Sequence, residues 1–239
     1  MVASLRALPA GPLGTDQLLV PKFLLEEEGN LQTYWIPFER LNSAARVAIV
    51  GLTPGWQQMT EAFAATRDAL TAGMTDERVI MNYIERQAGF VGIMRTNMVR
   101  MLDVIGMSNA LGLQSCAELF ADQEGLVHGT SALRYPVFAR GENYGGQGPS
   151  VRRSPMLTRY VREQLAPELA AVPDALVLPL GKAVEGCLRM LVADGQLDEV
   201  RCLFGFPHPS GGNGHRVAQF ARNRLMLQTQ VADWTTASR

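Results

Sequence analysis

The eight residues Ala45–Leu52 (ARVAIVGL) constrain this chain more than any other stretch. After Arg46 the run is apolar and rich in β-branched residues, and it stops at the turn Gly51-Leu52-Thr53-Pro54-Gly55. A strand buried on both faces of a parallel sheet reads this way, because covered faces leave no wet side toward which residues can alternate. Leu126–Leu133, Ala175–Leu180 and Val200–Phe206 are three further strand candidates. Helical spacing predicts Gln57–Ala72, Gly92–Ile105, Pro155–Leu165, Lys182–Ala193 and Val217–Val231 between or after them. Ile93, Met94, Met98, Met101, Leu102 and Ile105 form a stripe that reads as core filling, since methionine packs adaptably. Strands alternating with helices imply an α/β fold of parallel βαβ units around a central four-stranded sheet.

A chain of 239 residues, 47% hydrophobic and 19% charged, fits one compact domain with a substantial core. Residues 1–43 read as an N-terminal arm and packing helices, anchored by Tyr34, Trp35 and Phe38, and residues 44–239 as the α/β domain. The formal net charge of -1 carries no signature of general nucleic-acid binding, so DNA contact would rest on a local patch. Arg152, Arg153, Arg159 and Arg162, and again Arg216, Arg222 and Arg224, cluster locally but read as solvated helix faces. Cys116, Cys187 and Cys202 lack paired spacing, which argues against a disulfide framework and a cysteine metal or iron–sulfur site. Residues 1–20 lack a basic start followed by a continuous apolar stretch and no apolar run approaches membrane length, so a cytoplasmic protein without membrane partners is expected.

In open parallel sheets, ligands bind where loops converge at the carboxyl ends of the strands. Three segments fall there: the Gly51–Gly55 turn, His128-Gly129-Thr130-Ser131, and Phe206–His215. A Gly/Pro turn alone is a weak signal. Pro207 and Pro209 restrict the backbone around His208, so the imidazole stands on a stiffened loop at a strand's end. His128, within an apolar strand, reads as a hydrogen-bonded core histidine. The long Gly-rich stretch Gly141–Ser150 is a candidate functional loop. Gly181-Lys182 lacks the glycine and hydroxyl spacing of a P-loop, and no zinc-protease or nucleophile-elbow pattern occurs.

Together and in this order the segments resemble the uracil-DNA glycosylase superfamily. Its members carry a Gly-x-x-Pro-Gly type motif after the first strand and His-Pro-Ser or Asn-Pro-Ser after the last. Gly51, Pro54 and Gly55 match the first motif, and His208, Pro209, Ser210 and Gly211 match the second. Val177–Ala183 looks like the family's third strand and the turn after it, and the likeness spans about residues 44–225. The resemblance implies a three-layer α/β/α sandwich and a DNA partner whose base is rotated out of the stack into a pocket. It further implies base-excision repair: hydrolysis of the N-glycosidic bond of uracil or another deaminated base, with no metal or cofactor.

In that reading His208 donates to the base oxygen as negative charge develops there. Thr53 stands where the family has a carboxylate or amide; it hydrogen-bonds but is no anionic base at neutral pH. The backbone of Gly51, Leu52, Pro54 and Gly55 lines the pocket, and Trp56 or Phe90 offers an aromatic face. Thr130 and Ser131 occupy the stretch where the family reads the base with an asparagine. Asn143, Glu142, Gln57 and Gln58 are substitutes for the missing carboxylate. Past Ser210 and Gly211, His215 or Arg216 is left as the wedge for the vacated stack, or the Gly-rich tip is a structural turn. The alternative function is a catalytically silent module that binds a nucleobase, nucleotide or nucleic-acid end with the same fold.

Overall fold

The computed structural model describes residues 5–37, 40–76, 79–81, 83–84, 92–121 and 124–237; Phe38 and Phe90 lie outside them. In chain order the elements are α1 (Thr15–Leu18), β1 (Leu24–Glu28), β2 (Leu31–Tyr34), β3 (Val47–Gly51), α2 (Trp56–Thr71), α3 (Gly92–Val104) and α4 (Met107–Leu111). There follow β4 (Val127–Ser131), β5 (Val137–Ala139), β6 (Glu142–Asn143), α5 (Pro155–Tyr160), α6 (Ala166–Ala170), β7 (Leu176–Pro179), α7 (Lys182–Ala193) and α8 (Arg216–Ala237). The fold is α/β. Its contacts divide the chain into two compact units, where the sequence suggested one domain after residue 43. One unit comprises Met1–Arg40, Thr53–Gly89 and Leu133–Pro149; the other comprises Leu41–Leu52, Phe90–Ala132 and Ser150–Arg239.

The second unit holds a parallel sheet in the order β4-β3-β7. Val47, Ala48, Ile49 and Val50 are all fully buried, so successive residues of β3 are covered on either side of the strand. This is the burial that the unbroken apolar run anticipates. Val47, Ile49, Leu176 and Leu178 pack with Met98, Met101 and Leu102 of α3 and with Leu227, Val231 and Trp234 of α8. Most of the methionine stripe is therefore core, although Ile93 is 62% exposed. Asn42, just ahead of β3, donates from Nδ2 to the carbonyls of Gly125 and Val127 beside β4, at 2.7 and 2.8 Å.

The sheet has three strands rather than the four expected. Residues 200–206 touch it through a single parallel bridge, Val177 to Cys202, with the Leu203 amide donating to the Val177 carbonyl at 2.9 Å. Two local features stop a strand from forming. Glu199–Arg201 winds into a 3-10 turn capped by Asp198, and Gly205 adopts φ +86, a left-handed value that breaks an extended run. Pro207 and Pro209 then remove two amide donors from the continuation.

The first unit holds an antiparallel sheet in the order β1-β2-β5-β6. Residues 24–34 form a hairpin here, not the packing helices expected of the N-terminal segment. Gly29 at φ +60 makes the tight reversal that glycine favours, and exposure along Leu24–Glu28 alternates with the strand period of two. Phe23 stacks on Trp35 at 6.2 Å between ring centroids, Phe63 meets both edge-on, and Tyr34 meets Phe138. Leu5, Leu13 and Leu18 are buried in this aromatic cluster, so the described part of the Pro/Gly-rich arm is docked. Among the described residues no helix is long and apolar enough to cross a membrane.

Candidate functional site

In the second unit, strand register sets the carboxyl ends side by side. Gly51 pairs with Ser131, and Val50 pairs with Thr130 on one side and Pro179 on the other. The order β4-β3-β7 makes the first strand central, with the next strand in sequence on one flank and the third on the other. Chain connections diverge at such a point and leave a crevice beyond the strand ends, where ligands of open α/β sheets bind. Gly51, Leu52, Thr130 and Ser131 all belong to this rim. Thr130 is 8% exposed, and the carbonyl of Gly51 is taken by the Ala132 amide at 2.8 Å.

His208 reaches the same end of the sheet from the Pro207–Gly211 loop. A Cβ built on Gly181, two residues past β7, would lie 3.2 Å from the Cβ of His208 and 3.3 Å from its Cδ2. The imidazole therefore packs on bare backbone at the start of α7, and the φ of +92 at Gly181 also disfavours a side chain there. Burial pushes the His208 imidazole below its ordinary value of 6.5, so the ring is neutral at neutral pH. Its Nδ1 accepts from the Ser210 amide at 3.2 Å, which leaves the proton on Nε2. The result is an uncharged N–H donor at a strand end.

Asn97 and Asn213, which sequence reading did not pick out, hold this loop together with Arg216. The buried amide of Asn97, on α3, donates from Nδ2 to the Pro209 carbonyl at 2.9 Å. Asn213 donates from Nδ2 to the His208 carbonyl at 3.1 Å and to Gln219 Oε1 at 3.1 Å. Arg216 donates from its guanidinium to the Ser210 carbonyl at 2.7 Å, so this candidate wedge braces the loop. Asn97 had left a sequence signal: it is the one amide set into the apolar stripe of α3, three residues after Met94 and four before Met101. His128 is the core histidine expected, its Nε2 2.8 Å from Glu168 Oε1 with both side chains buried.

Thr53, Pro54, Gly55, Trp56 and Asn143 belong to the first unit. The Thr53 hydroxyl donates to the Tyr135 carbonyl at 2.9 Å and accepts from the Val137 amide at 3.0 Å. Its proton and one lone pair are spent on fixing the turn against β5. The Trp56 amide, first in α2, donates to Asn143 Oδ1 at 2.8 Å. Asn143 therefore caps a helix end that Gly55 cannot cap with a side chain. Gln58 is used similarly, its Oε1 accepting from the Gly55 amide at 3.2 Å, and Gln57 donates to Glu61. Trp56 meets Phe138 edge-on.

Among the described residues no group of three or more His, Cys, Asp or Glu side chains is placed to hold a metal ion. Burial pushes the thiols of Cys187 and Cys202 up to about 12, which keeps both protonated at neutral pH. No family model and no solved structure matches the chain. It is similar to an uncharacterized protein of Bacillus subtilis (strain 168), YoxB, with 40% identity over 226 residues that cover 94% of this chain and 88% of YoxB.

Proposed function

The chain belongs to the family of YoxB, and for this member we propose a cytoplasmic DNA glycosylase of the uracil-DNA-glycosylase type, hydrolysing the N-glycosidic bond of uracil or another deaminated base. The observation that carries the reading is the His208 imidazole at the carboxyl end of the parallel sheet, with the Ser210 amide on its Nδ1 so that Nε2 serves as the donor. The C1′–N bond breaks with its electron pair departing on the base, whose carbonyl oxygen accepts the hydrogen bond from Nε2. Water adds its oxygen to C1′, and its displaced proton ends on the released base. A neutral imidazole suits this role, because a donor fixed in advance stabilises charge as it forms without having to reorganise.

The strand order supports the wider fold reading. The Val177–Cys202 bridge lies where a fourth parallel strand of a three-layer sandwich would run, beside β7. Gly51, Leu52, Thr130, Ser131, Pro209, Ser210 and Gly211 are assigned to substrate binding around His208. Thr53 is assigned to holding the turn. The test is excision from oligonucleotides that carry uracil, hypoxanthine or xanthine, single- and double-stranded, with His208→Ala in parallel. Excision that the variant loses upholds the reading; absence of excision from every substrate overturns it.

One observation favours a second reading, a binding module for a nucleobase or nucleotide that does not cut. The Thr53 hydroxyl is spent on backbone partners, and Asn143 and Gln58 are spent on the first turn of α2. Binding of a deaminated base without turnover, unchanged by added metal ions, distinguishes this reading from the first.

A further inference from the structure

A groove of about 580 Å³ opens beside His208, between the first turns of α7 and the amino-terminal half of α8. Its size is that of a site for a nucleotide-sized molecule. Three cations line it, Lys182, Arg189 and Arg222, against one carboxylate, Glu185. That carboxylate is already engaged: Oε2 accepts from the Gly205 amide at 2.9 Å, and Oε1 meets the Arg189 guanidinium at 2.8 Å. Arg189 is occupied as well, lying over the Phe204 ring at 4.0 Å. Among the described residues Lys182 and Arg222 have no ion-pair partner. The groove thus sets two uncommitted cations, on two different helices, over walls whose other charges cancel.

We propose that this groove binds a phosphate ester of nucleotide size, with Lys182 and Arg222 as its phosphate ligands. A phosphomonoester carries close to two negative charges at neutral pH and three strong acceptor oxygens, which matches two cations with no competing carboxylate. The Phe206 side chain and the bare backbone of Gly186 supply a small apolar wall for the remainder of the ligand. A Cβ on Gly186 would meet nothing within 4 Å, so this position looks onto open groove. His208 lines the same groove, but neither Lys182 nor Arg222 is assigned to the chemistry there, so the two readings are tested through different residues.

The ester can be a free nucleotide or the end of a strand, and the probes separate them. Equilibrium titration of the full chain uses deoxyuridine 5′-monophosphate, deoxyuridine, and a single-stranded dodecamer with and without a 5′-phosphate. The monophosphate is expected to bind at least about tenfold more tightly than the nucleoside, with Lys182→Ala and Arg222→Ala each losing about tenfold. Gly186→Leu, which fills the groove and leaves both cations in place, is expected to abolish binding while the thermal midpoint holds. A dodecamer whose affinity rises with the 5′-phosphate assigns the site to strand ends; a preference confined to the mononucleotide assigns it to free nucleotides. Equal binding of nucleoside and monophosphate, or affinity unchanged in all three variants, overturns the proposal. Because His208→Ala leaves both cations intact, it is expected to retain phosphate binding even where excision is lost, so the two readings fail separately.

Discussion

His128 and His208 lie in the same unit of the protein and teach opposite lessons about what an imidazole is for. His128 sits mid-strand on β4, 1% exposed, with its Nε2 against the buried Glu168 carboxyl. Its Nε2 is engaged inside the core. His208 stands past the last bridge of the sheet, on a loop stiffened by prolines, where a backbone amide occupies Nδ1 and, among the described residues, no hydrogen bond occupies Nε2. Both rings are sheltered from water, yet only His208 keeps its Nε2 clear of a partner among the described residues. The difference arises from backbone: a strand interior surrounds its side chain, whereas a loop resting on a glycine presents it.

The largest expected effect pits the two histidines against each other. His208→Ala should lower excision by roughly 10²–10³-fold, the range for losing one preorganised donor, and leave the thermal midpoint nearly unchanged. His128→Ala should do the reverse, costing roughly 3 kcal/mol of stability in a denaturant titration by leaving the Glu168 carboxyl buried without its imidazole. If His128→Ala unfolds no more easily than the parent, the comparison collapses. Gly181→Ala comes next. The added Cβ must displace the His208 ring and accept a left-handed φ, so about 1–2 kcal/mol of stability and most of the excision should go together. Asn97→Ala frees the Pro209 carbonyl and should cost about 1 kcal/mol, with excision reduced more than stability alone explains.

The smallest effect is on pH. Burial holds the folded-state value of His208 below 6.5, so the folded protein binds fewer protons than the unfolded chain between those two values. Its contribution to stability is therefore complete above about 6.5 and is lost as pH falls through the lowered value. Excision should follow the same window, level on the neutral side and declining on the acid side as the ring gains charge. A rate that rises on acidification would mean that the imidazolium is the active form.

What could be read from sequence divides along similar lines. β3, β4 and β7 were legible because short apolar runs bounded by glycine or proline have few other uses, and α7 was legible to its first and last residues. The hairpin of β1 and β2 was not, since Glu26-Glu27-Glu28 gives no apolar alternation and its pairing depends on β5, about a hundred residues later. The fourth strand misled because Val200–Phe206 has the right composition, but Gly205 and the Asp198 cap override it. At the site, His208 was legible from its flanking prolines. The supports at Asn213 and Gly181 were not, because each acts through a contact that only folding creates; Asn97 left a signal as the one amide in an apolar stripe, but the carbonyl it holds lies 112 residues away.

The reduced fourth strand has one more consequence. Outer strands of an open sheet offer rows of unspent amides and carbonyls, and any extended peptide that meets them can extend the ladder into an aggregate. On β7 that row is short. The Leu203 amide occupies the Val177 carbonyl, Pro179 has no amide to give, and the Ala175 carbonyl just before the strand receives the Arg201 guanidinium. Beside β4 the Asn42 amide occupies the carbonyls of Gly125 and Val127. A single bridge and two side chains thus occupy part of each margin of the sheet, and leave less of it open to a pairing strand.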